Sequence, residues 1–123
     1  MERKSQEKSA GDLSEVLPLS PRAFYVLIAI ADGESHGYAI ARTVETATNG
    51  VVRLTAGTLY PIIRQMLRDG WIAEISGPDD DPRRRSYRLT PRGQRVAQAE
   101  AQRLLETIRM ARNLQWIPAG TAL

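Results

Sequence analysis

The stretch LTAGTLYPIIRQMLRDGWI, Leu54 to Ile72, restricts the fold of this chain more than any other. Leu59, Ile62, Ile63, Met66 and Leu67 recur at i, i+3, i+4, i+7 and i+8, the signature of a helix with one apolar face. A helix this short is marginal on its own, so that face requires cover from other elements. Two starting points compete. With Thr55 as N-cap, Pro61 falls in the second turn, where its ring crowds the Gly57 carbonyl; a start at Thr58 places Pro61 in the first turn. Asp69-Gly70 closes the helix either way. The opposite face carries Tyr60, Arg64 and Arg68 at i, i+4 and i+8.

The remaining segments supply the cover. In SPRAFYVLIAIADG, Ser20 caps, Pro21 fits the first turn and Asp32-Gly33 ends a helix that is apolar around most of its circumference. HGYAIARTVETAT reads as a second helix, with Ile40, Val44 and Ala47 on one face, His36 at its start and Gly37 permitting close packing. VVRL, after Asn49-Gly50, reads as one short strand. WIAEIS and RRSYRLT, joined by GPDDDPR, form a β-hairpin with Trp71 in the core. Thr90-Pro91 opens the last helix, along which Ala97, Ala101, Leu104, Ile108 and Ala111 recur at spacings of four and three. That seam is narrower than a core face and suits one helix meeting another.

The chain of 123 residues has room for one core. It has no cysteine, which removes disulfides, thiolate metal sites and a cysteine nucleophile. His36 is the sole histidine, and neither a phosphate loop nor a metal-ligand cluster is legible. The expectation is no enzyme, no cofactor and no metal. The longest apolar run, Ala23 to Ala31, is too short to span a bilayer, and the polar N-terminus holds no apolar signal core. These features read as a cytoplasmic chain with no membrane partner. Net charge is +3, and 15 of the 17 basic residues are arginine, a side chain shaped for bidentate contacts to phosphate and guanine. Residues 91–123 alone carry +3.

Helix, helix, short strand, helix, hairpin, helix is the layout of a winged helix-turn-helix, here mainly α with a small β-hairpin and a C-terminal dimerisation helix. The expected organisation is a tail or arm over 1–19, with Leu13, Val16, Leu17 and Leu19 available to pack. A winged helix-turn-helix follows over 20–90, then the dimerisation helix over 91–117 and a tail over 118–123. Three stretches, HGYAI at 36–40, GTLYPIIRQMLRDGWI at 57–72 and RRRSYRLTPRG at 83–93, resemble the signature segments of the PadR family of winged-helix transcriptional regulators. A single helix after the wing is similar to the short subfamily. The resemblance implies a homodimer bound to palindromic double-stranded operator DNA, usually as a repressor, and in several members released by a small aromatic effector.

On this reading the DNA-binding residues are Thr55, Gly57, Thr58, Tyr60, Arg64, Arg68, Arg83, Arg84 and Arg85. Phe24, Leu27 and the seam residues Ala97, Ala101, Leu104, Ile108 and Ala111 are assigned to the dimer interface, and Trp116 to an effector. Each has a plainer reading. The arginine stripe is also what the solvated face of a core helix looks like, and Trp116 is also suited to anchor the chain end. The acidic wing tip, Asp79 to Asp81, should be repelled by phosphate, which leaves the arginine flank as the DNA contact. The same tip is the best support for the alternative, a winged-helix protein-interaction module that does not bind DNA.

Overall fold

Helix α1, Pro21–Ala31, begins where the Ser20 hydroxyl accepts a hydrogen bond from the Ala23 N–H at 3.1 Å. The computed structural model describes residues 13–33, 36–75 and 85–123. They comprise α1, α2 (Gly37–Ala47), α3 (Ala56–Arg68), β1 (Ile72–Ile75), β2 (Ser86–Leu89) and α4 (Pro91–Asn113). The chain divides into two compact units. One is Leu19–Ala97; the other is Gln98–Leu123 with, among the described residues, 13–18, and the boundary between them falls within α4.

Within Leu19–Ala97, α1 packs on α2 and on β2, α2 on α3, and α3 on β1. The shared core is Val26, Leu27 and Ile30 from α1, Ile40 and Val44 from α2, and Leu59, Ile63 and Met66 from α3, with Trp71, Ile72, Tyr87 and Val96. Each fully buried Leu, Ile or Val contributes roughly 1.5–3 kcal/mol relative to exposure. The apolar periodicity of α3 is therefore the face that docks, with Ile62 and Leu67 at its half-buried margins. Trp71 is in the core as its position suggested, but its Nε1–H has no hydrogen-bond partner, a cost of about 1–3 kcal/mol.

Two local expectations fail. VVRL forms no strand, and Val51 is 84% exposed. The Thr48 hydroxyl donates to the Val44 carbonyl at 2.9 Å and accepts from the Val52 N–H at 3.0 Å. That hydrogen bonding spends the segment's backbone on closing α2, and among the described residues no partner strand lies alongside it. Ala47, placed on the buried face of α2, is exposed because it sits in the last turn, beyond Val44.

The hairpin pairs Ile72 with Leu89, Ala73 with Arg88, Glu74 with Tyr87 and Ile75 with Ser86 in an antiparallel ladder. The turn between the strands, with Asp79 to Asp81, Arg83 and Arg84, lies outside the described residues. His36 reaches the same sheet: its backbone forms a bridge to Ser86, and its Nδ1 is 3.1 Å from the Ser86 hydroxyl.

The end of α3 and the start of α4 are tied through the three carbonyls that follow the last residue of α3. Asp69 O accepts from Arg92 Nε at 3.1 Å, Gly70 O from the Thr90 hydroxyl, and Trp71 O from the Thr90 N–H at 3.0 Å. Thr90 also caps α4, its hydroxyl accepting from the Gly93 N–H at 3.0 Å. The approach is so close that a Cβ at Gly93 would overlap the Trp71 carbonyl. No described helix is long and apolar enough to cross a membrane.

Candidate nucleic-acid interface

Because Leu59, Ile63 and Met66 are buried at 2%, 1% and 1% exposure, the rest of the circumference of α3 is held outward. Arg64 and Arg68 are exposed, as are Thr55 and Gly57, with Thr58 half-buried. The helix starts at Ala56 with Thr55 as N-cap, so Pro61 is an interior residue. Pro61 is exposed on the outer side, and the helix passes through it unbroken. Thr55 makes no side-chain cap bond; its hydroxyl lies 3.2 Å from that of Thr58. The first N–H groups of α3 are thus left uncapped by side chains, where the helix dipole favours an anion.

Tyr60 does not stand free beside the two arginines. It is half-buried, and its ring lies over Gly37 so closely that a Cβ there would be 3.0 Å from the hydroxyl oxygen. Tyr60 joins α3 to the start of α2, and only part of it faces outward. This is the close packing expected of Gly37, with a partner that helical periodicity did not identify.

Two grooves flank α3. The first, of about 740 Å³, runs between α2 and α3 and includes Tyr38, Arg42, Glu45, Arg53 and Tyr60. Arg42 sits 5.8 Å above the Tyr38 ring, a cation–π contact, and Arg53 Nε is 3.3 Å from Glu45 Oε1. Arg42 and Arg53 were missed by sequence reasoning. The spacing of Tyr38 and Arg42, four residues apart on one helix, was the available signal. The second groove, of about 610 Å³, separates α3 from the hairpin, with Arg64 on one wall and Glu74, Arg85 and Tyr87 on the other. Arg85 is exposed, and its Nε is 3.5 Å from Glu74 Oε1. The Tyr87 phenol is held above its ordinary pKa of 10.0, first by burial and then by the charges of Glu74 and Tyr60, with Arg85 opposing.

The residues assigned to a subunit interface divide differently. Leu27 is wholly buried within its own chain and has no surface left for a partner. The uncovered apolar surface of α1 is instead Phe24, half-buried, and Ile28, 46% exposed. Along α4, Ala97, Leu104 and Ala111 are half-buried, while Ala101 and Ile108 are exposed. The stripe that α4 buries is a neighbouring one, Gly93, Val96 and Glu100. A buried glutamate is not legible in a sequence. Here its carboxylate accepts two bonds from Arg103, at 2.6 and 2.9 Å. Trp116, just past the helix, is 75% exposed, as are Met110 and Leu114 at 67% and 59%. Among the described residues no cluster of three metal-ligating side chains occurs.

Comparison with known proteins agrees with this architecture. Residues 26–99 match the model of the transcriptional regulator PadR-like family. The transcriptional regulator Rv3488 of Mycobacterium tuberculosis is 37% identical over 84 residues, which is 68% of this chain and 75% of that protein. The fold is shared with a transcriptional regulator from Clostridium thermocellum at a TM-score of 0.65 and 23% identity, covering 74% of this chain and 89% of that one. It is also shared with a PadR family transcription regulator from Clostridium difficile, at 0.58 and 20%, covering 76% and 97%. With its winged helix, its three signature stretches and a family match over most of its length, the chain belongs to the PadR-like family of transcriptional regulators.

Proposed function

We propose that this regulator binds palindromic double-stranded DNA as a homodimer and represses transcription from the bound site. Helix α3 enters the major groove, with Arg64 and Arg68 directed at bases or phosphates. Thr55, Gly57 and Thr58 at its uncapped start, together with Arg83 to Arg85 on the wing flank, contact the backbone. The observation that carries this reading is the division of α3: one face is sealed into the core, while Arg64 and Arg68 stand exposed on the other. The α4 seam, together with Phe24 and Ile28, supplies the contact between subunits. Trp116 is the candidate contact for a planar aromatic effector that releases the DNA, its indole offering an accessible apolar face.

The test begins with selection of an operator from random duplexes, followed by titration at several salt concentrations. The wild type should bind with a steep salt dependence. Arg64→Ala should lose about 1–3 kcal/mol with relaxed specificity at one position if Arg64 reads a base. A uniform loss with a shallower salt slope would assign it to phosphate. Selection that enriches no sequence, with no salt-dependent binding, would favour the protein-interaction module instead.

A further inference from the structure

Two of the arginine–glutamate pairs among the described residues are built differently. Arg103 and Glu100 meet through two bonds of 2.6 and 2.9 Å, and the Glu100 side chain is 2% exposed, so that pair is fixed. Arg85 and Glu74 meet through one contact of 3.5 Å, longer than a good charge-assisted hydrogen bond, and their side chains are 46% and 39% exposed. Water competes for both partners, and a pair of this kind contributes little to stability.

Its location gives the looseness a consequence. In the ladder Glu74 is opposite Tyr87, and both line the α3–hairpin groove together with Arg85. The facing wall carries Arg64, and the uncapped start of α3, Ala56 and Gly57, opens onto the same groove. Cations therefore stand on both walls, an anion-favouring helix end lies at the rim, and Glu74 is the sole acid among the described lining residues. A duplex phosphate entering this groove competes with Glu74 for one guanidinium. It has the advantage of releasing its condensed counterions, which a carboxylate does not.

Resting on the DNA-binding reading of this surface, we propose that Glu74 sets the affinity of the interface for nucleic-acid phosphate. It occupies Arg85 in the free protein and yields it to a backbone phosphate when DNA enters. The exchange leaves the Glu74 carboxylate unpaired beside the phosphate, a penalty that applies to every sequence alike. It lowers operator and non-specific affinity by the same factor, so Glu74 sets the absolute strength of phosphate binding, and base contacts with α3 decide which duplexes remain bound.

The probe is a fluorescein-labelled duplex of arbitrary sequence, titrated by anisotropy across a range of salt concentrations, with circular dichroism to confirm that each variant is folded. Glu74→Gln should tighten binding about fivefold near 0.15 M salt, with the gain vanishing toward 1 M, as expected for roughly one additional phosphate contact. Arg85→Ala should weaken binding, and in that background the gain from Glu74→Gln should fall well below fivefold, to the part that comes from removing the carboxylate's own repulsion of the phosphate. If the wild type binds but Glu74→Gln leaves affinity unchanged or lowers it, the proposal is overturned while the DNA-binding reading stands. A full gain from Glu74→Gln in the Arg85→Ala background would likewise overturn the exchange. Absence of binding by wild type and variants alike removes both.

Discussion

Gly93 stands at the third position of α4, where an alanine ordinarily favours a helix by about 1 kcal/mol. Here the substitution should do the opposite. A Cβ on Gly93 would occupy the space of the Trp71 carbonyl, which is backbone and cannot rotate away as a side chain does. Relief requires the start of α4 to move off the end of α3. That movement stretches the Thr90 N–H bond to Trp71 O, the Thr90 hydroxyl bond to Gly70 O and the Arg92 Nε bond to Asp69 O. Three hydrogen bonds at about 0.5–1.5 kcal/mol each, less the gain in propensity, leave a net loss of about 0.5–3.5 kcal/mol. Urea unfolding at matched protein concentration, with and without Gly93→Ala, measures it. Gly57→Ala is the control: its Cβ meets nothing nearer than the Thr55 hydroxyl at 3.9 Å, so stability should hold or rise slightly. Equal stability of Gly93→Ala and wild type would show that the two helices are not joined through these carbonyls.

Three further outcomes are expected. Light scattering should give about twice the 13.7 kDa chain mass, and Leu104→Asp with Ile108→Asp should return it to the monomer value; association that survives both changes places the interface elsewhere. Because the folded-state pKa of Tyr87 is raised, the folded state retains a proton that the unfolded chain releases, so the stability linked to this group is present below pH 10.0 and is lost as pH rises through the higher folded-state value. Alkaline unfolding should accordingly be less steep in Tyr87→Phe, and an unaltered pH profile in that variant would assign the loss to other groups. In a Trp71→Phe background, planar aromatic compounds should quench Trp116 saturably and release DNA, whereas a compound that releases DNA equally from Trp116→Ala excludes that indole from the switch.

Much of this fold is legible because its signals are local. Ser20 and Thr90 cap their helices through hydroxyls three residues from their partners, a geometry that depends on nothing distant. The apolar face of α3 follows from the 3.6-residue turn, and the hairpin follows from two β-rich runs around a turn cluster. The family signature lies in these same stretches. VVRL shows where local preference stops: β-branched residues favour a strand only when another strand is there to pair with, and the Thr48 hydroxyl claimed the backbone first.

The site divides in the same way. Sequence periodicity determined which residues of α3 could face outward, and Arg64 and Arg68 do. Whether Tyr60 joins them depended on α2, which lies within van der Waals reach only after the chain has folded, and Gly37 receives its ring. The start of the helix, balanced between Thr55 and Thr58 on paper, was decided by tertiary packing: Leu54 and Leu59 are both buried on either side of the cap. Leu27 and Ile28 are equally apolar and adjacent, yet one is sealed and the other nearly half exposed, because α2 and β2 cover only part of α1. The ion pairs were the least accessible to sequence. Glu74 and Arg85 are eleven residues apart and meet diagonally across a register that only the closed hairpin defines. Glu100 and Arg103 have ordinary helical spacing, and only the folded chain surrounds that carboxylate and makes their contact a buried one.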